Sequence, residues 1–151
     1  VLFKRFHEEV MYFFTNYNSQ KSKQLEKNPH AAVNFHWREP LHRQIRIEGK
    51  MIKATAQISD DYFATRARGS QIGAWSSPQS QPIKNREELE QLVAENEKKF
   101  AGKNVPRPAF WGGWGLVASK FEFWEAGDKR LHTRMVYEKK GDAWESKLLG
   151  P

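Results

Sequence analysis

The chain contains no cysteine. Disulfides, zinc–thiolate centres and thiol nucleophiles are excluded, and a reducing compartment is permitted. Its five histidines are dispersed without HxxxH-type spacing, so no metal site is expected. No apolar run is long enough to span a bilayer, and Val1-Leu2-Phe3-Lys4-Arg5 meets charge too soon for a signal peptide. Neither a membrane association nor an export signal is expected, and the cytoplasm is the expected location. An initiator methionine is also missing, so upstream sequence is expected. Long Lys/Arg blocks are absent too. The net charge of +7 is instead spread along the chain, which weakens a nucleic-acid reading and leaves small phosphorylated ligands as a source of demand for cations.

What is present is apolar and aromatic: 38% of residues are hydrophobic and 13% aromatic, enough in 151 residues for one folded domain, 1–151, with a real core. Residues 10–16 and 30–37 read as strands. Asn18 or Ser19 is placed to cap a short helix running to Lys27, stopped by Asn28-Pro29. Glu39-Pro40 turns the chain into a long strand or hairpin over 42–56, with Gly49 marking a bulge or turn. Ser59-Asp60-Asp61 is expected to open a helix carrying Tyr62, Phe63 and Arg66. Residues 69–84, rich in Gly, Ser, Gln and Pro, read as a loop. Asn85 with Glu88 forms a capping-box variant ahead of a helix striped by Leu89, Leu92, Val93 and Phe100. Strands are expected over 114–124, 130–139 and 143–149. Many strands with few helices imply a mainly β, α+β fold: an antiparallel barrel with peripheral helices.

Within that pattern, Arg130-Leu131-His132-Thr133-Arg134 reads as a strand on which Arg130, His132 and Arg134 share a face. No acid stands among them. Such a face suits a planar anionic ligand, and it equally describes a solvated strand face.

Several segments, taken together and in order, resemble the pyridoxine (pyridoxamine) 5′-phosphate oxidase family, FMN enzymes of the split-barrel type. They are Phe14-Thr15-Asn16, Ser19-Gln20-Lys21, Arg43-Gln44, Tyr62-Phe63 with Arg66, and Ser70-Gln71-Ile72-Gly73-Ala74-Trp75. Gln79-Ser80, Phe110-Trp111-Gly112-Gly113, Glu122-Phe123-Trp124 and Arg130-Leu131-His132-Thr133-Arg134 continue the series. The resemblance implies a homodimer with FMN in clefts between subunits. It implies oxidation of pyridoxine 5′-phosphate or pyridoxamine 5′-phosphate to pyridoxal 5′-phosphate, with hydride passing to flavin and dioxygen reoxidising it to give hydrogen peroxide.

By position, the resemblance assigns Lys21 to the FMN phosphate and Phe14 and Thr15 to backbone contacts with the cofactor. Gln44 would address the flavin edge, Gln79 and Ser80 would reach the cofactor across the dimer, and Trp124 and Arg134 would complete that site. Lys4, Tyr62, Arg66 and Ser70 would hold the substrate phosphate. Arg130 and His132 would lie against the substrate ring as the catalytic pair. No metal is implied and no side-chain nucleophile is needed, because flavin carries the redox chemistry. Two departures stand out. The family's barrel begins upstream of Lys4, so the barrel is expected to be N-terminally incomplete. Gln20 stands where the family usually has Arg, so weaker FMN binding is expected.

Overall fold

The computed structural model describes residues 1–151 as seven strands and four helices. In chain order they are β1 (Arg5–His7), β2 (Val10–Asn16), α1 (Gln20–Lys27), β3 (His30–Trp37), β4 (Arg43–Lys53) and α2 (Ala56–Ala64). There follow α3 (Arg68–Ser76), α4 (Arg86–Lys99), β5 (Trp111–Glu125), β6 (Thr133–Lys140) and β7 (Ala143–Leu149). The fold is mainly β with peripheral helices, and all strand pairs are antiparallel. The sheet runs β1-β2-β5-β4-β3, with β6 on β5 and β7 on β6, and it does not close on itself.

Local signals start the helices. Ser19 Oγ accepts from the Ser22 N–H, Thr55 Oγ1 from the Ile58 N–H, and Asn85 Oδ1 from the Glu88 N–H, each meeting an otherwise unpaired donor of the first turn. The Thr55 cap starts α2 three residues before Ser59, so Asp60 and Asp61 lie inside the helix rather than in its first turn. Residues 68–76 are helical, contrary to the loop expected there. Ile72 is buried with Phe63 and Phe100, and that burial outweighs the weak helix propensity of glycine and serine.

β5 is the spine. β4 pairs along nearly all of one edge, while β2 (at residues 111–117) and β6 (at 120–125) share the other. The pairing steps from Gly49↔Ala118 to Glu48↔Lys120, leaving Ser119 as an extra residue. This bulge is the irregularity expected at Gly49, and it explains the glycine: a Cβ there would overlap the Val117 carbonyl oxygen.

The bulge also shifts the side-chain alternation of β5. Trp114 and Leu116 before it share a face with Phe121 and Phe123 after it, opposite Lys53, Met51, Ile47 and Ile45 in turn. That face carries one core, of Ile47, Met51, Trp114 and Leu116. The other face carries Trp111, which joins Phe63, Ile72, Phe100 and Val105 in a second core beneath the helices. Gly112-Gly113 lies inside β5, which begins at Trp111 and not at 114 as expected. Side chains there would collide with Tyr17 and with Ala54 and Phe14.

Candidate functional site

The residues singled out from sequence fall into three groups. The first surrounds Trp111. Phe14 on β2 stacks on Tyr62 of α2 with ring centroids 4.1 Å apart, and Trp111 lies parallel to both. Arg66 follows α2 rather than continuing it, and its guanidinium sits over the Trp111 ring, 4.6 Å from the centroid. Its Nη1 is buried and has no hydrogen-bond partner. Burial pulls the Arg66 pKa down while nearby Tyr62 pulls it up. Guanidinium stays charged under such shifts, so a cation with a buried, unused donor sits beside Trp111 and Tyr62.

The second group is a closed triangle. Lys21 Nζ donates to Thr15 Oγ1 and to Gln79 Oε1, both at 3.0 Å, and the Thr15 hydroxyl donates to Gln79 Oε1 at 2.8 Å. α1 carries Lys21 in its first turn, while buried Thr15 comes from β2 and Gln79 from the segment after α3. Burial lowers the Lys21 pKa, and its partners are neutral. No carboxylate pairs with Lys21 or with Arg66. Two partly buried cations therefore lack counter-ions.

The third group is a rung across three strands. Gln44 of β4 is opposite Trp124 of β5, which is opposite Arg134 of β6. Register places all three on the sheet face that carries Trp111. The His132 ring lies against Trp124, with centroids 4.7 Å apart. Gln44 Oε1 accepts from Asn34 Nδ2.

The expected Arg130–His132–Arg134 strand face does not form. Residues 128–130 make a single 3-10 turn, Lys129 and Arg130 are left-handed at φ 52° and 66°, and β6 begins only at Thr133. Arg130 is exposed and bonds to no other member of the set. Nor does Arg134 lack an acid. Its Nε donates to Glu122 Oε1 at 2.7 Å and its Nη1 to the Gly150 carbonyl. The hydrogen bond from Arg134 holds the Glu122 carboxyl below the usual range and raises Arg134 in turn. Glu122 stands in one of the motifs, but its pairing with Arg134 was not visible in the sequence, because it stands twelve residues away and only strand pairing brings it near. Trp111 received no role from the sequence, yet it forms the floor under Arg66. Lys4, Ser70 and Ser80 are exposed and bond to none of the other predicted residues.

The first two groups lie at the Trp111 end of β5 and the third at its Trp124 end. Thirteen residues of extended strand separate the ends by roughly 40 Å, less some shortening by twist and bulge. One small substrate cannot touch Arg66 and His132 of the same chain.

Against known proteins, the fold is that of the FMN-binding split barrels. A pyridoxamine 5′-phosphate oxidase-related, FMN binding protein from Nostoc punctiforme PCC 73102 superposes with a TM-score of 0.76 at 15% identity, over 99% of this chain and 78% of that one. PhzG from Burkholderia lata 383, solved in complex with tetrahydrophenazine-1-carboxylic acid, superposes with a TM-score of 0.91 at 30% identity, over 99% of this chain and 72% of PhzG. The profile described as pyridoxamine 5′-phosphate oxidase matches residues 2–99, and that of the pyridoxine 5′-phosphate oxidase C-terminal dimerisation region matches 111–151. The pyridoxine/pyridoxamine 5′-phosphate oxidase of Rubrobacter xylanophilus is 48% identical across this whole chain, which spans 69% of that protein. The Myxococcus xanthus (strain DK1622) protein of the same name is 46% identical across it, and the chain spans 73% of that one. The chain belongs to the pyridoxamine 5′-phosphate oxidase family of oxidoreductases. No helix is long and apolar enough to cross a membrane.

Proposed function

We propose that this chain, as a single FMN-binding split-barrel domain, oxidises pyridoxine 5′-phosphate or pyridoxamine 5′-phosphate to pyridoxal 5′-phosphate. The carrying observation is the pair of partly buried cations without counter-ions, Lys21 and Arg66. Desolvated charge without a partner is costly, and a phosphate dianion at each cation removes the cost with charge-assisted hydrogen bonds.

The residues present fit FMN. Lys21, the Thr15 hydroxyl and Gln79 form a compact polar cradle for its phosphate, and the Gln44–Trp124–Arg134 rung of a second copy offers an amide, an aromatic face and a cation to its ring system. Bound FMN supplies the acceptor for a hydride from the substrate and hands the electrons to dioxygen. The protein's part is orientation and electrostatics. Arg66 and Tyr62 hold the substrate phosphate, with Lys4 and Ser70 as further donors. Arg130 and His132 lie against the substrate ring, and Ser80 adds a hydroxyl to the cofactor site.

The two ends of β5 meet one substrate only if a second copy brings its Trp124 end to the first copy's Trp111 end, so the functional unit is a homodimer. The matched dimerisation region covers β5–β7. On the face opposite the rung, Trp37, Phe123, Tyr137, Trp144 and Leu148 stay exposed in line with the barrel core, a surface suited to burial.

The test uses the purified protein loaded with FMN. Flavin absorption bands and peroxide release on adding pyridoxamine 5′-phosphate are expected. A protein that neither retains flavin nor yields peroxide sinks the proposal, and flavin without peroxide leaves only a binding module. The likeness to PhzG favours one second reading, a flavin oxidase of another aromatic substrate. In that case substitution of Arg66 leaves the KM for the phosphate ester unchanged.

A further inference from the structure

We propose that Gly127 is a positioning residue that holds His132 as its Nε2–H tautomer, making the imidazole a hydrogen-bond donor to the substrate ring rather than a base. The Gly127 backbone N–H donates to His132 Nδ1 at 3.2 Å. A nitrogen that accepts this bond carries no proton, so in the neutral ring the proton resides on Nε2. Trp124 lies against the ring and limits its rotation.

The loop is built to keep that contact. Ala126 N–H donates to the His42 carbonyl on one side, and Leu131 N–H to the Asp128 carbonyl closes the turn on the other. Left-handed Lys129 and Arg130 fold the chain back so that the Leu131 carbonyl packs on Gly127. A Cβ at position 127 would overlap that oxygen, although the Gly127 backbone itself is extended, at φ −121°. Glycine is required here for space, not for its φ. The backbone that sets the tautomer can therefore approach His132 only without a side chain.

The tautomer rests on this geometry alone. Its use rests on the placement of His132 at the substrate proposed above. An Nε2–H group donates, so it selects a substrate that offers an acceptor, such as an oxygen substituent on a pyridine ring. It cannot abstract a proton through the same atom.

Two measurements separate these claims. Long-range ¹H–¹⁵N spectra of histidine-labelled FMN-loaded protein, with His132 assigned by its loss in His132→Gln, should show the Nε2–H pattern. An Nδ1–H pattern in the unaltered protein overturns the proposal, whatever the activity. Gly127→Ala should shift His132 toward a mixture of tautomers, and an unchanged pattern in a folded variant removes Gly127 from the role. For use, glutamine keeps a donor near the Nε2 position and has no basic nitrogen. His132→Gln should therefore retain at least about tenfold more kcat/KM than His132→Leu. Equal losses overturn donation while leaving the tautomer standing.

Discussion

The Arg66 guanidinium lies over the Trp111 ring at 4.6 Å, with Nη1 buried and unbonded. The aromatic floor positions the cation, and cation–π attraction compensates part of its desolvation. Neither supplies the missing acceptor; under the proposed function a phosphate oxygen of the substrate would.

Arg66→Ala should raise the KM for pyridoxamine 5′-phosphate roughly ten- to a hundredfold, the size expected for one charge-assisted hydrogen bond lost. Arg66→Lys should recover only part, because an ammonium lacks the planar fork that stacks and binds at once. Steady-state peroxide assays with the phosphate ester and with its dephosphorylated form provide the check, since only the ester's KM should respond.

Lys21→Met should weaken FMN binding by about ten- to a hundredfold while leaving the fold intact. The substitution removes a desolvated charge and keeps the apolar stem, so the unliganded protein should melt no lower than the parent. Flavin fluorescence titration measures the affinity and thermal melting checks stability. A clear drop in the melting temperature of the unliganded variant would show that Lys21 serves the fold instead.

Glu122→Gln should lower the melting temperature at neutral pH. The folded-state pKa of Glu122 is depressed by Arg134, so the carboxylate's stabilisation is complete above its unfolded pKa and fades as pH falls through the folded value. The parent and variant should therefore differ most at neutral pH and converge below the usual carboxylate range. Melting curves over an acid pH series test this, and a constant gap would contradict it.

Gly49→Ala should destabilise the protein by about 2–3 kcal/mol. The new methyl would meet the Val117 carbonyl, which is backbone of the neighbouring strand and has little freedom to move. Denaturant unfolding gives the value, and a neutral result would mean that the bulge relaxes freely.

Much of this molecule is legible without coordinates because its signals are local. The Ser19 and Asn85 caps, the strands at 10–16 and 30–37 and the bulge at Gly49 follow from residues within one turn or one strand. Family membership also resides in ordered short motifs, each readable in place. The helix over 68–76 was not legible, since Ile72 favours it only through contact with Phe63 and Phe100.

Side-chain chemistry divides along the same line. Sequence alone determined that Lys21, Arg66, His132 and Arg134 were the groups to watch, because residue type and motif order are properties of the chain. Only tertiary structure decided that Glu122 neutralises Arg134 and that Arg130 stands exposed in a left-handed turn instead of on a strand. It alone decided that Lys21 and Arg66 keep uncompensated charge and that Gly127 reaches His132. The physical reason is register. The extra residue at Ser119 sets which side chains of β5 share a face, and the turn at 128–130 sets where β6 begins. The first is settled by pairing with distant β4, the second by the hairpin pairing of β5 with β6.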